Sequence, residues 1–306
     1  MAEQYGKLTV REITSGSSGL AFAQLVAARA AIQLATLVDA RKFCRVEMVP
    51  PGGGKTYHFQ KVAVPDTGFE GQLTEGSDLS AVDASLADVT ATLVVGAVRT
   101  DISDLAQRQA AVNIAEAIGI AHGNALNRFM NNDIYSAMDN DVANATCKVS
   151  GGTANNSYCY TFNDIMYAKG LVEKQRGRAD AFVTYPYQAA VGSGTPTGFY
   201  PFVMGNITSV QFTTAMAAYV ASGQISELFG LKLYVDKVYE PSNAAVANAP
   251  LGDVIVSGES VGWAQAEDIV SEIQRWAPQV GFRIVTHVTG KSARVMEPWV
   301  GHIIHA

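Results

Sequence analysis

Between Phe43 and Thr100 the chain carries a long extended excursion that its own domain cannot easily bury. Cys44-Arg45-Val46-Glu47-Met48-Val49 alternates with period two, as a half-exposed strand does, and Tyr57-His58-Phe59-Gln60-Lys61-Val62 returns in the same style. Pro50-Pro51-Gly52-Gly53-Gly54-Lys55 separates them and reads as a hairpin tip. An acidic turn, Leu73-Thr74-Glu75-Gly76-Ser77-Asp78-Leu79, leads into Val89–Val98, a third strand-like run rich in β-branched residues. A two-stranded arm with few large apolar residues is at best marginally stable alone in water. The expectation is that such an arm lies on a neighbouring subunit, which points to assembly rather than catalysis.

Composition agrees with that direction. Of 306 residues only 16% are charged and 48% are hydrophobic, against a charged share of about 25% in ordinary globular domains. Alanine, glycine and small polar residues dominate, so hidden contact surface explains the low charge better than an oversized core. The net charge of −6 excludes an overall basic footprint for wrapping nucleic acid, while leaving room for one basic face. Met1–Tyr5 shows no secretory signal, and the most apolar window, Leu20–Val38, is broken by Gln24, Arg29 and Gln33. That window predicts an amphipathic helix rather than a membrane span. Cys44, Cys147 and Cys159 form no paired motif and read as reduced thiols in a cytoplasmic setting.

Along the chain, residues 1–18 suggest an extended arm, followed by a helix over Leu20–Ala40. Asp101-Ile102-Ser103-Asp104 has the side chains of a helix start, and the apolar spacing beyond it predicts a long helix over Ile102–Met130. Gly119 and Gly123 within it mark a bend or a close helix–strand contact. Asn140–Tyr160 is a boundary loop by composition. Then come a helix over Phe162–Gln175, a strand at Asp180–Thr184, a helix near Thr213–Val220 and a strand at Leu231–Val235. Ser242–Pro250 reads as a linker. Gly281–Val288 alternates clearly, and a turn at Gly290-Lys291 before Trp299–Ile304 would close the chain as a hairpin.

Signals for chemistry are weak. Gly54-Lys55-Thr56 resembles the end of a phosphate loop, but the glycine required five places before Gly54 is Val49, and a strand rather than a helix follows. His302 and His305 stand three apart in a strand-like run, where they face opposite sides, with no clustered Cys or carboxylate partner in sequence. Gly192-Ser193-Gly194 lacks the glycines two places either side of the serine that a nucleophile elbow needs. None of the five histidines has a recognisable nucleophile partner, and Asp101 with Asp104 suits a helix N-terminus better than a catalytic pair. The sequence offers no catalytic residue, cofactor site or metal ligand set.

Taken in order, these pieces resemble the major capsid protein family of tailed bacteriophages and related archaeal viruses, the Hong Kong 97 type of fold. The resemblance is strongest from Leu73–Leu79 through Val89–Thr100 into the long helix, and again over Gly281–Val288, Gly290–Ala293 and Pro298–Ile304. It implies an α+β chain divided into an N-terminal arm and helix (1–42), an extended E-loop (43–80), a peripheral domain with a spine helix (81–144 and 258–306) and an axial domain (145–257). It also implies a structural role: self-assembly into pentamers and hexamers of an icosahedral shell around double-stranded DNA, in the virion, after assembly in a host cytoplasm. Scaffolding, portal and decoration proteins are the further partners it implies, and no membrane. The intersubunit arm would carry Gly52, Gly53, Gly54, Lys55, Glu75 and Gly76. Non-specific contact with DNA would fall to Lys7, Arg11, Arg108 and Arg128. Some members of the family join an arm lysine to an asparagine of a neighbour. Lys55 and Lys61 are available here, but no asparagine follows Asn248, so no such cross-link is expected. No long scaffold-like segment precedes the short N-terminal arm, so a scaffold would be a separate protein or a segment already removed. The same fold enclosing a protein cargo, as in encapsulins, is the first alternative, and a soluble enzyme with an unrecognised active site is the second.

Overall fold

The computed structural model describes residues 17–63, 85–103, 114–140, 145–151, 162–184, 227–228, 230–236, 250–276 and 281–305. Its first helix, α1 (Ser17–Thr36), buries Val26, Ala30 and Leu34, which recur every four residues on one face. Strands β1 (Arg45–Met48), β2 (Thr56–Ala63), β3 (Ser85–Thr92) and β4 (Val94–Ser103) follow, then the long helix α2 (Ile114–Met138). Next are β5 (Lys148–Gly151), helix α3 (Phe162–Lys174), β6 (Ala181–Thr184), β7 (Glu227–Leu228) and β8 (Leu231–Val235). The chain closes with β9 (Pro250–Ile255), β10 (Val261–Trp276), β11 (Gly281–Arg294) and β12 (Val300–His305). Among the described residues no helix is long and apolar enough to cross a membrane.

Three sheets organise these strands: a four-stranded sheet in the order β1-β10-β11-β4, a six-stranded sheet β5-β12-β9-β6-β8-β7, and the two-stranded pair β2-β3. Helix α2 lies over the four-stranded sheet. Phe129 packs so closely on Gly96 of β4 that a Cβ there would stand 2.4 Å from its ring. Leu126, Met130, Ile134 and Met138 of α2 join Trp263, Val288 and Val300 in the largest core. Helix α3 covers the six-stranded sheet through Ile165, Ala168 and Val172, against Phe182, Val254 and Ile303. That sheet unites β5, β6, β8 and β9 with β12, the last strand of the chain.

Several expectations are confirmed and others corrected. The early helix, the helix after Phe162, and the strands at Ala181, Leu231 and Gly281 stand where the sequence puts them. Asp101-Ile102-Ser103, expected to start a helix, instead ends β4, pairing with Arg283, Phe282 and Gly281. The Arg283 guanidinium binds Asp101 at 2.9 Å, so the carboxylate that looked like a helix cap serves a cross-strand ion pair. The long helix starts later and runs on to Met138. Gly290-Lys291 is no turn, because β11 passes straight through it. Gly290 is small because the indole of Trp263 lies over it, and a Cβ there would stand 2.3 Å from Cζ2. Gly119 and Gly123 mark a close contact, but with a helix: a Cβ on Gly123 would meet the Ala30 carbonyl of α1 at 2.8 Å. The expected helix near Thr213, most of the Ser242–Pro250 linker, and residues 1–16 lie outside the described residues.

Candidate assembly surface

The glycine segment does not form the hairpin tip. Strand β1 does not pair with β2; it pairs in parallel with Gly262–Gln265 of β10, as an edge of the four-stranded sheet. β2 pairs antiparallel with β3, from Thr56 opposite Thr92 to Ala63 opposite Ser85. Pro50–Lys55 is thus the foot of the arm, and its far end lies outside the described residues. Alternation of period two marks a strand but cannot name its partner, which here is more than 200 residues away.

The chemistry of the foot fits its place. Gly53 N donates to Pro50 O at 2.9 Å, closing a tight turn with Pro51 at its second position and Gly52 at φ +83° at its third. Gly54 is also left-handed, at φ +87°. These glycines let the chain leave the edge of one sheet and start another within a few residues. Leu93 N then donates to Lys55 O at 2.8 Å and clamps the two legs of the arm together. Gly52, Gly53, Gly54 and Lys55 are all exposed.

The expectation that the body cannot easily bury the arm is corrected at its root. The ring of Phe59, 1% exposed, sits on Gly262 of β10, where a Cβ would stand 2.5 Å away. Tyr57 meets it edge to face, with ring centroids 5.0 Å apart. Val49, Ala91, Leu93, Ala264, Ala293 and Val295 complete this small core. The root of the arm is therefore bolted to the body by one aromatic side chain and its surroundings. Beyond it, among the described residues, β2 and β3 pair only with each other.

Apolar side chains stay exposed where the four-stranded sheet has its edges. Val46 and Met48 project from β1, and Val94 and Val95 from the start of β4. Leu25 and Ile32 add an exposed pair seven residues apart on α1. Arg128 is exposed on α2, whereas Glu75, Gly76, Lys7, Arg11 and Arg108 lie outside the described residues.

Behind these surfaces is a buried polar framework that sequence reasoning missed. Asn131, fully buried, donates to Asp236 Oδ2 at 2.6 Å and to Val38 O at 2.7 Å, and accepts from Ala40 N at 3.0 Å. Tyr135 OH donates to the same Asp236 oxygen at 2.8 Å. Asp133 pairs with Lys291 and accepts from Ser292 N at 2.8 Å. His122 bridges two strands, with Thr100 Oγ1 2.8 Å from Nε2 and Thr286 Oγ1 2.7 Å from Nδ1. Ser271 Oγ extends that chain at 2.7 Å from Thr286. Its histidine is 1% exposed, so the hydroxyls fasten α2 to β4 and β11. Cys44 and Cys147 are buried free thiols, and burial raises the pKa of both. One group among the described residues has the composition of a metal site: Asp139, Asp253 and His302.

No family model matches the sequence, and no curated protein matches it either. Solved structures do match the backbone. A chain of the capsid structure of the cyanophage P-SCSP1u is similar at TM-score 0.61 and 15% identity, over 87% of each chain. The capsid of the native GTA particle is similar at TM-score 0.61 and 15% identity, over 87% of this chain and 89% of that one. Microbacterium phage Oxtober96 gives TM-score 0.60 and 12% identity, over 88% and 90%. The chain is α+β and has the Hong Kong 97-type fold of these capsid structures.

Proposed function

We propose that this chain is a major capsid protein that assembles into pentamers and hexamers of an icosahedral shell enclosing double-stranded DNA. The observation that carries the reading is the arm, rooted by Phe59 and Gly262 in a fold shared almost end to end with capsid chains. A strand pair that has, among the described residues, no third strand and a clamped root has its remaining hydrogen-bonding edges to offer to a neighbour. The apolar residues on β1 and β4 offer further contact area, and a shell needs heterologous contacts of this kind that close into rings. In this reading the chain has no catalytic role and resides in the virion. The division into arm, E-loop, peripheral and axial regions is proposed with the boundaries given above, except that β1 is counted with the body's four-stranded sheet, β3 with the arm, and β12 with the sheet it shares with β5, β6, β8 and β9. Contact with DNA is electrostatic, with exposed Arg128 as one contributor and Lys7, Arg11 and Arg108 as others. Scaffolding, portal and decoration proteins would be accessory partners.

The test is to express the full chain and examine it by electron microscopy and size-exclusion chromatography. Rings or shells are expected. A discrete monomer under all assembly conditions would overturn the proposal. Shells purified from infected or induced cells should hold DNA, and shells holding only a protein cargo would favour the nanocompartment instead. Binding of the chain to DNA should fall steeply with salt and ignore sequence.

A further inference from the structure

Asp253 on β9 and His302 on β12 are direct partners across the strand pair, and His302 Nδ1 lies 2.7 Å from Asp253 Oδ1. Both side chains are 0% exposed. The turn that ends α2 brings a third group, Asp139, whose backbone N donates to Tyr135 O at 2.9 Å. The Asp139 carboxyl is hydrogen-bonded to Asp253. Each of the three offers one ligand atom within 4.8 Å of those of the other two.

A second, independent observation is the unpaired polar atoms of this cluster. Among the described residues three buried side-chain polar atoms lack a hydrogen-bond partner, and two of them, Asp139 Oδ1 and His302 Nε2, are here. Buried polar atoms are rarely left unsatisfied, because each costs about 1–3 kcal/mol. The charge is also unbalanced. Two carboxyls are packed together, one of them at the negative end of a long helix. Arg294 caps that end, donating to Met138 O at 3.3 Å, and offsets part of the charge. A single shared proton would satisfy the carboxyl–carboxyl contact. It would leave both Asp139 Oδ1 and His302 Nε2 without partners. A cation takes lone pairs from the imidazole and both carboxylates and neutralises their two charges together.

We propose that Asp139, Asp253 and His302 form a buried site for one divalent transition-metal cation, of the zinc or manganese kind, that ties the end of α2 to β9 and β12. An imidazole with two carboxylates suits such ions better than calcium or magnesium, which prefer oxygen ligands alone. Metal bonds of about 2.0–2.2 Å bring ligand atoms within roughly 4.4 Å of one another, so small side-chain rotations close the cluster on the ion. The sequence could not show this set, because its members stand more than 100 residues apart on one side and about 50 on the other.

The purified full chain, stripped with a chelator, should be reloaded with Zn²⁺ or Mn²⁺ and dialysed. Metal content, thermal melting and, with Co²⁺, the visible ligand-field spectrum are then read. One retained equivalent per chain and a raised melting temperature are expected. Asp139→Asn should lose that equivalent, weaken binding about tenfold or more and abolish the metal-dependent rise. His302→Gln should do the same; if it fails to fold, Asp139→Asn and the wild-type uptake decide. Equal uptake and an equal melting response in wild type and Asp139→Asn would overturn the site. So would no retained metal in the wild type, leaving a shared proton as the occupant.

Discussion

Replacing Phe59 by alanine tests whether the arm is a separate unit bolted to the body at one point. The ring is 1% exposed, lies on Gly262 and meets Tyr57 edge to face. Truncating a buried Phe to Ala costs about 3–5 kcal/mol, and the lost aromatic pair accounts for about 0.5–1.5 kcal/mol of it. That cost falls on the native state relative to every state in which the ring is already solvated. Those states include full unfolding and a partly open form with the arm root detached. If the arm opens separately, the open form becomes the ground state of the mutant, and the loss in global stability is capped at the wild-type cost of opening. The body should then lose less than about 3 kcal/mol by urea denaturation, while amide protection in Thr56–Lys61 and Ala87–Thr92 falls nearly to the unprotected level, a drop set by the same opening cost and so no more than about 150-fold. Hydrogen exchange with mass spectrometry on the same samples separates the two signals. A global loss near the full 3–5 kcal/mol with arm amides still protected would refute the argument, because the arm would then be part of the cooperative core.

Three further outcomes follow from particular residues. Burial pushes the His122 imidazole below its ordinary pKa of 6.5, so the folded chain holds that proton less readily than the unfolded chain. Its neutral form costs nothing above pH 6.5, and stability should fall as pH drops from there through the lower folded value. His122→Gln should flatten that part of the stability profile, and an identical slope in both proteins would contradict it. Gly290→Ala places a Cβ 2.3 Å from Trp263 Cζ2 and should cost about 1–3 kcal/mol, read as a fall in melting temperature. Mature particles boiled in denaturant should run as one band near 32.4 kDa, since no asparagine follows Asn248 in the closing strands; a ladder of multimers would show an arm lysine joined to an asparagine elsewhere, such as Asn132, which is exposed on α2 beside buried Asn131.

What the sequence made legible was whatever depends on neighbours along the chain. The helical face of Val26, Ala30 and Leu34 and the alternation of Gly281–Val288 are local patterns, and both elements stand as expected. Errors arose where a distant residue decides the role of a local one. Glycine at 290 looks like a turn until Trp263, paired across from the same strand, is seen to need the space. Asp101 looks like a helix cap until Arg283 is placed opposite. The longest strand, β10, went unread because irregular register between Gln265 and Val270 breaks its period, so no single alternation runs through it.

The misplaced glycines carry the more general lesson about the arm. A glycine run between two alternating segments is ambiguous: it can reverse one hairpin, or it can transfer the chain between two sheets. The difference lies in whether the segment before it has another partner, and here β10 supplies one. Once β1 is an edge of the body, the turn at Pro50–Gly53 and the left-handed Gly54 redirect the chain outward at the arm's base. Conformational freedom at a tip would alter only the last few residues of an arm. At the base, the same freedom swings the whole β2–β3 pair, limited by the Phe59 contact and the Lys55–Leu93 clamp. In the proposed shell, placing one arm in slightly different settings around five-fold and six-fold centres would need adjustment there. On this argument, substituting Gly54 by a β-branched residue should leave the body's melting nearly unchanged while narrowing the range of particle sizes or blocking closure.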